Sequence, residues 1–130
     1  MTTPRDERVQ RGRETGAKVF GGGVALPVPK EMDREWRRFV TATVMGDVWS
    51  RPGLGLKNRS MITVAALVAL HRPEELKMHL RGALHLGITR EEICEIIMHM
   101  AIYGGFPVAV DGMRIAAQVF EEEDAKKSKT

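Results

Sequence analysis

Glu74-Glu75-Leu76-Lys77-Met78-His79-Leu80-Arg81-Gly82-Ala83-Leu84-His85-Leu86-Gly87, followed directly by Ile88-Thr89-Arg90-Glu91-Glu92-Ile93, decides the fold class. Leu76, Leu80, Ala83, Leu84 and Gly87 recur at spacings of three and four, which draws one apolar stripe at the helical period. Pro73 suits the first turn, where its missing N–H costs nothing, and Gly87 accepts the left-handed conformation that ends helices. Thr89 and Glu92 form a capping box, each side chain satisfying a backbone N–H near the other. The stretch predicts one helix ending near Gly87 and another starting at Thr89.

Glu75, His79 and Gly82 lie on adjacent turns at the margin of that stripe. A carboxylate one turn before an imidazole fixes its tautomer and raises its basicity, and a glycine one turn after leaves room for a ligand. The same spacing also describes a border histidine beside a surface glutamate, so the residues alone leave both readings open.

The helical pattern extends in both directions. Towards the C-terminus, Ile93, Ile96, Ile97, Met100 and Ala101 face inward on a helix running to Tyr103, with Glu95 and His99 paired outside and Cys94 a structural cysteine. Gly104-Gly105-Phe106-Pro107 punctuates it, and a last helix runs from Pro107 to Glu122 before a charged tail, residues 123–130, that is expected to fray. Towards the N-terminus, Leu56 to Leu70 is apolar around almost its whole circumference, which places it in the core or at a subunit interface. Arg59 and Ser60 sit near its N-terminal end, where the dipole and free N–H groups favour an anion.

Further upstream, Gly46-Asp47-Val48-Trp49-Ser50-Arg51-Pro52-Gly53-Leu54-Gly55 reads as a rigid loop with Arg51 at its middle, a planar guanidinium suited to a carboxylate or else an exposed loop residue. Before it, Met32, Trp36, Phe39, Val40, Thr43 and Val44 mark the inner face of an amphipathic helix from Glu31 that Gly46 ends. Residues Pro4 to Phe20 form a modest first helix, weakened by Gly12 and Gly16 at ~1 kcal/mol each, that must pack on something to persist. Gly21-Gly22-Gly23 breaks it; with no Gly-Lys-Ser/Thr after it, this is a flexible turn and not a phosphate loop. No strand pattern appears, and the fold class is all-α with about six helices.

Composition narrows the function. At 130 residues, with 43% apolar and 28% charged residues, the chain suits one domain, small enough that oligomerisation would add much. The formal charge of +3 is scattered and only 5% of residues are aromatic, so no nucleic-acid partner is expected and a small anionic ligand fits better. One cysteine excludes a disulfide framework and any CxxC redox or zinc site. With no apolar leader and no run near the ~18 residues of a membrane helix, the expectation is a cytoplasmic protein without a membrane partner.

Five phrases occur in a fixed order: Gly46-Asp47-Val48-Trp49-Ser50-Arg51-Pro52-Gly53-Leu54, Arg59-Ser60-Met61-Ile62-Thr63, His79-Leu80-Arg81-Gly82-Ala83, Gly87-Ile88-Thr89-Arg90-Glu91-Glu92-Ile93 and Tyr103-Gly104-Gly105-Phe106-Pro107. Together they resemble the carboxymuconolactone decarboxylase family, the gamma-carboxymuconolactone decarboxylase branch in particular, over roughly residues 5 to 122. The related AhpD-like alkylhydroperoxidases carry a Cys-x-x-Cys-x-x-x-His motif, but Arg72 and Glu75 hold the thiol positions here, which removes peroxidase chemistry.

The resemblance implies one AhpD-like helical domain assembling as a homo-oligomer, a trimer or hexamer. It also implies loss of carbon dioxide from a carboxylated muconolactone of protocatechuate catabolism, a small anionic lactone, with no metal or organic cofactor. His79 would be the proton donor with Glu75 orienting it; Arg51 and Arg59, with Ser60, would hold carboxylates and the oxyanion; Trp49 would wall the pocket. Arg81 points roughly 200° around the helix from His79 and is a poorer helper. The chain departs from the family's pattern at Gly104 and Val110, where decarboxylases tend to carry a cysteine and an asparagine, and in having Asp111 nearby. Those departures keep two alternatives in view: a lactone or keto-acid isomerase or hydrolase on the same scaffold, and a non-catalytic anion-binding oligomer.

Overall fold

A computed structural model describes residues 3–22 and 26–129. Among them there are helices and no strand, so the all-α expectation holds. Gly23 of the expected turn, with Val24 and Ala25, lies outside the described residues. The chain divides into two compact units, residues 1–56 and 57–130.

In the first unit, α1 spans Pro4–Phe20 and is opened by a capping box of Thr3 and Asp6, a Thr-x-x-Asp signal that the sequence reading passed over. Helix α2, Asp33–Val40, runs straight into a π-helical segment, Thr41–Trp49. Gly46 therefore does not end the second helix as expected; the chain stays helical through it, in the wider π form. The reason is the neighbour: a Cβ on Gly46 would overlap the carbonyl oxygen of Arg8, and one on Gly12 would overlap that of Thr41. These two glycines let the backbones of α1 and the π-helical segment touch, which offsets the weakness they bring to α1 as an isolated helix. Arg8 donates to both oxygens of Asp47, from Nε at 3.0 and 3.2 Å and from Nη2 at 2.5 Å, and Arg11 Nε donates to the Gly46 carbonyl at 2.7 Å.

The inward face expected for the second helix is also revised. Trp36 and Phe39 are 48% and 58% exposed, while Ala42, Gly46 and Trp49 are the buried positions. The reason is the partner and not the period: α2 has no buried residue at all, and burial begins in the π-helical segment, where the backbone of α1 packs against it.

The second unit is built from α3 (Leu56–Ala69), α4 (Pro73–His85), α5 (Arg90–Tyr103) and α6 (Phe106–Ser128). Val64, Val68, Leu76, Leu80, Ala83, Ile93, Ile97, Ala116 and Val119 form its core, one or more from every helix. Helix α3 buries Ser60, Val64 and Val68 in this core, while Ile62, and Leu70 just past its end, are 57% and 66% exposed.

Helix α4 ends as its sequence predicts. Gly87 has φ +89°, and the N–H groups of Gly87 and Ile88 reach back to the carbonyls of Leu84 and Ala83 at 3.0 Å each, the Schellman arrangement. Thr89 caps α5, its hydroxyl accepting from Glu92 N at 3.0 Å while Glu92 accepts from Thr89 N at 2.9 Å. The C-terminal segment differs from the expected fraying tail. Helix α6 continues to Ser128, with Glu122 taking Arg81 and Lys77, and Asp124 taking Arg90. Arg90 also lies over the Phe120 ring, 4.9 Å from its centroid.

Candidate functional site

Glu75 and His79 stand one turn apart on α4, as their spacing requires. Leu76 and Leu80 beside them are buried, Glu75 is exposed and His79 is half-buried. That position decides the charge of the imidazole. Burial pushes its pKa down to about 4, and the Glu75 carboxylate pulls only partly in the other direction. The charge therefore matches a neutral imidazole at pH 7, held against a carboxylate that favours taking up a proton.

Arg59 and Ser60 are brought together in the first turns of α3. Arg59 is half-buried, and its carbonyl accepts from the Thr63 hydroxyl at 2.7 Å. Ser60 is fully buried, and its Oγ has no hydrogen-bond partner among the described residues. A buried hydroxyl in that state costs ~1–3 kcal/mol unless something accepts from it or donates to it.

Trp49 and Arg51 come together at the end of the π-helical segment in the first unit. Trp49 is 7% exposed, a core position as well as a wall. Arg51 is exposed, and its N–H donates to the Val48 carbonyl at 3.1 Å, so the backbone is pinned as a turn below the guanidinium. Ser50 donates its hydroxyl to the Gly46 carbonyl at 2.5 Å and tightens the same turn. Arg81 donates from Nη2 to Glu122 at 2.5 Å.

Asp111, noted as a departure, has a partner that the sequence did not suggest. His71 Nε2 lies 2.5 Å from its Oδ2, and Arg114 lies 3.7 Å from Oδ1. His71 closes α3 at φ 56°, a conformation usually left to glycine or asparagine, and no spacing rule reveals a non-glycine residue there. A Cβ at Gly104, another of the departures, would stand 3.1 Å from the Cα and Cβ of Ala69, so a side chain there asks the end of α3 to give by a few tenths of an ångström.

Among the described residues no group of three or more His, Cys, Asp or Glu is placed to hold a metal, and no helix is long and apolar enough to cross a membrane.

Comparison with known proteins supplies the reaction class. The profile of the carboxymuconolactone decarboxylase family matches residues 34–118. The chain is 35% identical over 120 residues to the 4-carboxymuconolactone decarboxylase of Acinetobacter baylyi, covering 90% of each chain. It is 34% identical over 89 residues to the nitrosuccinic acid decarboxylase of Metarhizium robertsii, covering 68% of this chain and 62% of that one. An uncharacterised 15.0 kDa protein of Paracoccus denitrificans is 35% identical over 100 residues, 75% of this chain and 68% of that one. Two of the three are named for removing a carboxyl group, and the class that fold and relatives define is a carboxy-lyase. The chain belongs to the carboxymuconolactone decarboxylase family.

Proposed function

We propose that this chain is a cofactor-independent decarboxylase of a carboxylated muconolactone, yielding an enol-lactone and carbon dioxide in the breakdown of protocatechuate. In this reading it works in the cytoplasm as a homo-oligomer, a trimer or hexamer. The observation that carries it is the 35% identity across nine-tenths of both chains with the Acinetobacter baylyi enzyme.

The chemistry asks for two kinds of group. The carboxylate to be lost is vinylogous to the lactone carbonyl, so breaking its C–C bond sends the electron pair into a dienolate with charge on the carbonyl oxygen. A proton then enters at the α carbon. Guanidiniums or hydroxyls must stabilise the oxyanion, and a general acid must supply the proton. Arg59 and Arg51 are assigned to the carboxylates and the oxyanion, with the Ser60 hydroxyl as a further donor. His79 is assigned to the proton, Glu75 to orienting it, and Trp49 to excluding water.

A neutral imidazole is the wrong state for a general acid. A substrate bearing two carboxylates corrects this, because an anion within about 4–6 Å favours the imidazolium. The proton is thus taken up with the substrate. The same logic covers the second relative's named substrate: nitrosuccinic acid is also a dicarboxylate with an electron sink beside the carboxyl group, and it is the second compound to test.

Assembly is supported by the apolar side chains left in water on α5 and α6. Met98 and Ile102 stand one turn apart on α5, as do Phe106 and Val110 on α6, each more than half exposed, and a partner copy would cover them.

The test follows carbon dioxide release and the ultraviolet loss of gamma-carboxymuconolactone, made in situ from protocatechuate, for wild type beside His79→Ala. Turnover by the wild type and its loss in a folded variant supports the assignment. No turnover on either dicarboxylate overturns it in favour of a non-catalytic anion binder, and release of a hydrolysed or isomerised product without carbon dioxide overturns it in favour of an isomerase or hydrolase.

A further inference from the structure

The first unit contains an open cavity of about 440 Å³, within the size range of small-molecule sites. Arg5 and Arg8 of α1 stand on one side, Trp36, Arg38 and Phe39 of α2 on the other, and the first residues of the π-helical segment complete the lining.

Its two chemical characters are separate. The Trp36 and Phe39 rings are 5.9 Å apart at 53°, and each keeps about half its surface in water. The two rings pack on each other as a tilted pair, and the faces they leave in water give the cavity wall an apolar surface on which a flat ring can lie. The other character is cationic: three guanidiniums line the cavity against one carboxylate, Glu35.

The three arginines are not equivalent. Arg8 is committed to both oxygens of Asp47. Arg5 holds Glu35 at 3.1 Å, but both side chains are more than half exposed, and such a pair is worth ~0–1 kcal/mol and readily exchanges for another anion. Arg38 donates from Nη2 to Asp6 at 3.2 Å, while its Nε–H is buried and has no hydrogen-bond partner among the described residues. That Nε–H lies out of a ligand's reach, and an incoming oxygen anion meets instead the accessible quarter of the Arg38 side chain on the cavity wall, through a charge-assisted hydrogen bond.

We propose that this cavity binds a small aromatic carboxylate, its ring against Trp36 and Phe39 and its carboxylate on Arg38, with Arg5 recruited from Glu35. The cavity shares no residue with those assigned to decarboxylation.

The experiment is isothermal titration calorimetry with benzoate and, as the uncharged control, benzamide, on wild type, Arg38→Gln, Trp36→Leu and His79→Ala. The expected result is saturable benzoate binding with Kd about 1 mM, the affinity a ligand of nine heavy atoms supports in an open site. Benzamide and the Arg38→Gln and Trp36→Leu variants should bind at least about tenfold more weakly, and His79→Ala should bind benzoate as the wild type does. Absence of saturable binding, equal binding of benzamide, or retention in both cavity variants would overturn the proposal. So would loss in His79→Ala, which would place the anion at the decarboxylation residues. If Arg38→Gln fails to fold through loss of Asp6, Trp36→Leu at its half-exposed position carries the test.

Discussion

Replacing His79 with glutamine should make the protein less sensitive to mild acid, and the size of the effect follows from the burial of one imidazole. In the unfolded chain the group titrates near its ordinary 6.5; in the folded chain burial brings it to about 4. Each tenfold change in proton affinity is worth roughly 1.4 kcal/mol, so the full difference is about 3 kcal/mol. Above pH 6.5 both states carry a neutral ring and the group has no effect. Between 6.5 and 4 the unfolded chain binds a proton that the folded chain refuses, so stability falls as the pH falls; below 4 the loss is complete and constant. The assay is urea unfolding of wild type and His79→Gln at pH 7 and pH 4, at one protomer concentration so that any assembly contributes equally. Carboxylates whose pKa the fold lowers, Asp6 and Asp47 among them, also cost stability in acid, but they are common to both proteins and cancel in the difference. Wild type should lose about 3 kcal/mol more than the variant over that interval. Parallel losses would refute the reasoning and return His79 to a water-like setting.

Glu75→Gln removes the one charge that favours the imidazolium, so the His79 pKa should fall further, measured by the pH dependence of its ring proton resonances. With the proposed substrate, kcat/KM should rise as pH falls towards 4, reporting the free protein, while kcat should hold to a higher pH because the bound dianion raises the imidazole pKa; superimposable profiles would contradict proton uptake with substrate. Gly46→Ala and Gly12→Ala should each destabilise the first unit by about 1–3 kcal/mol in denaturant unfolding, whereas Gly53→Ala, with no atom near its Cβ, should be close to neutral. Thr89→Ala, which removes half of the α5 capping box, should cost about 1 kcal/mol in the same assay.

Much of the second unit was legible because its signals are local. Pro73, Gly87, Thr89 and Glu92 mark helix ends through groups within a few residues of each other, and the structure places each in that role. The first unit was less legible because its decisive contact is between backbones. Gly12 reads as a weak point of one helix and Gly46 as the end of another until each is seen making room for a backbone carbonyl of the opposite segment, Thr41 and Arg8 respectively. The α6 extension was missed because Glu122 and Asp124 find their cations on α4 and α5, some forty and thirty-four residues earlier. For the candidate site, the α4 spacing of Glu75 and His79 was readable, but the charge state of His79 was not: it depends on how much of the ring other helices cover. The cavity beside Arg38 joins α1 to α2 across about thirty residues and leaves no periodic trace.

The π-helical segment has a genetic consequence. Each residue of an α-helix turns the chain by about 100°, so the direction in which Trp49, Ser50 and Arg51 leave the helix is a phase set by how many residues precede them. A segment with surplus residues per turn is what an α-helix becomes when a codon is inserted and the flanking contacts hold. Deleting one residue between Thr41 and Met45 would let the hydrogen bonds fall back towards α geometry with the contacts on both sides kept, so that Trp49, Ser50 and Arg51 leave the helix in the same direction. A one-codon deletion inside the segment is therefore absorbed, whereas the same deletion in the α-helical turns of α2, which have no surplus residue, would re-aim Arg51 by about 100°, and length polymorphism in related chains is expected in residues 41–49 and not in 33–40.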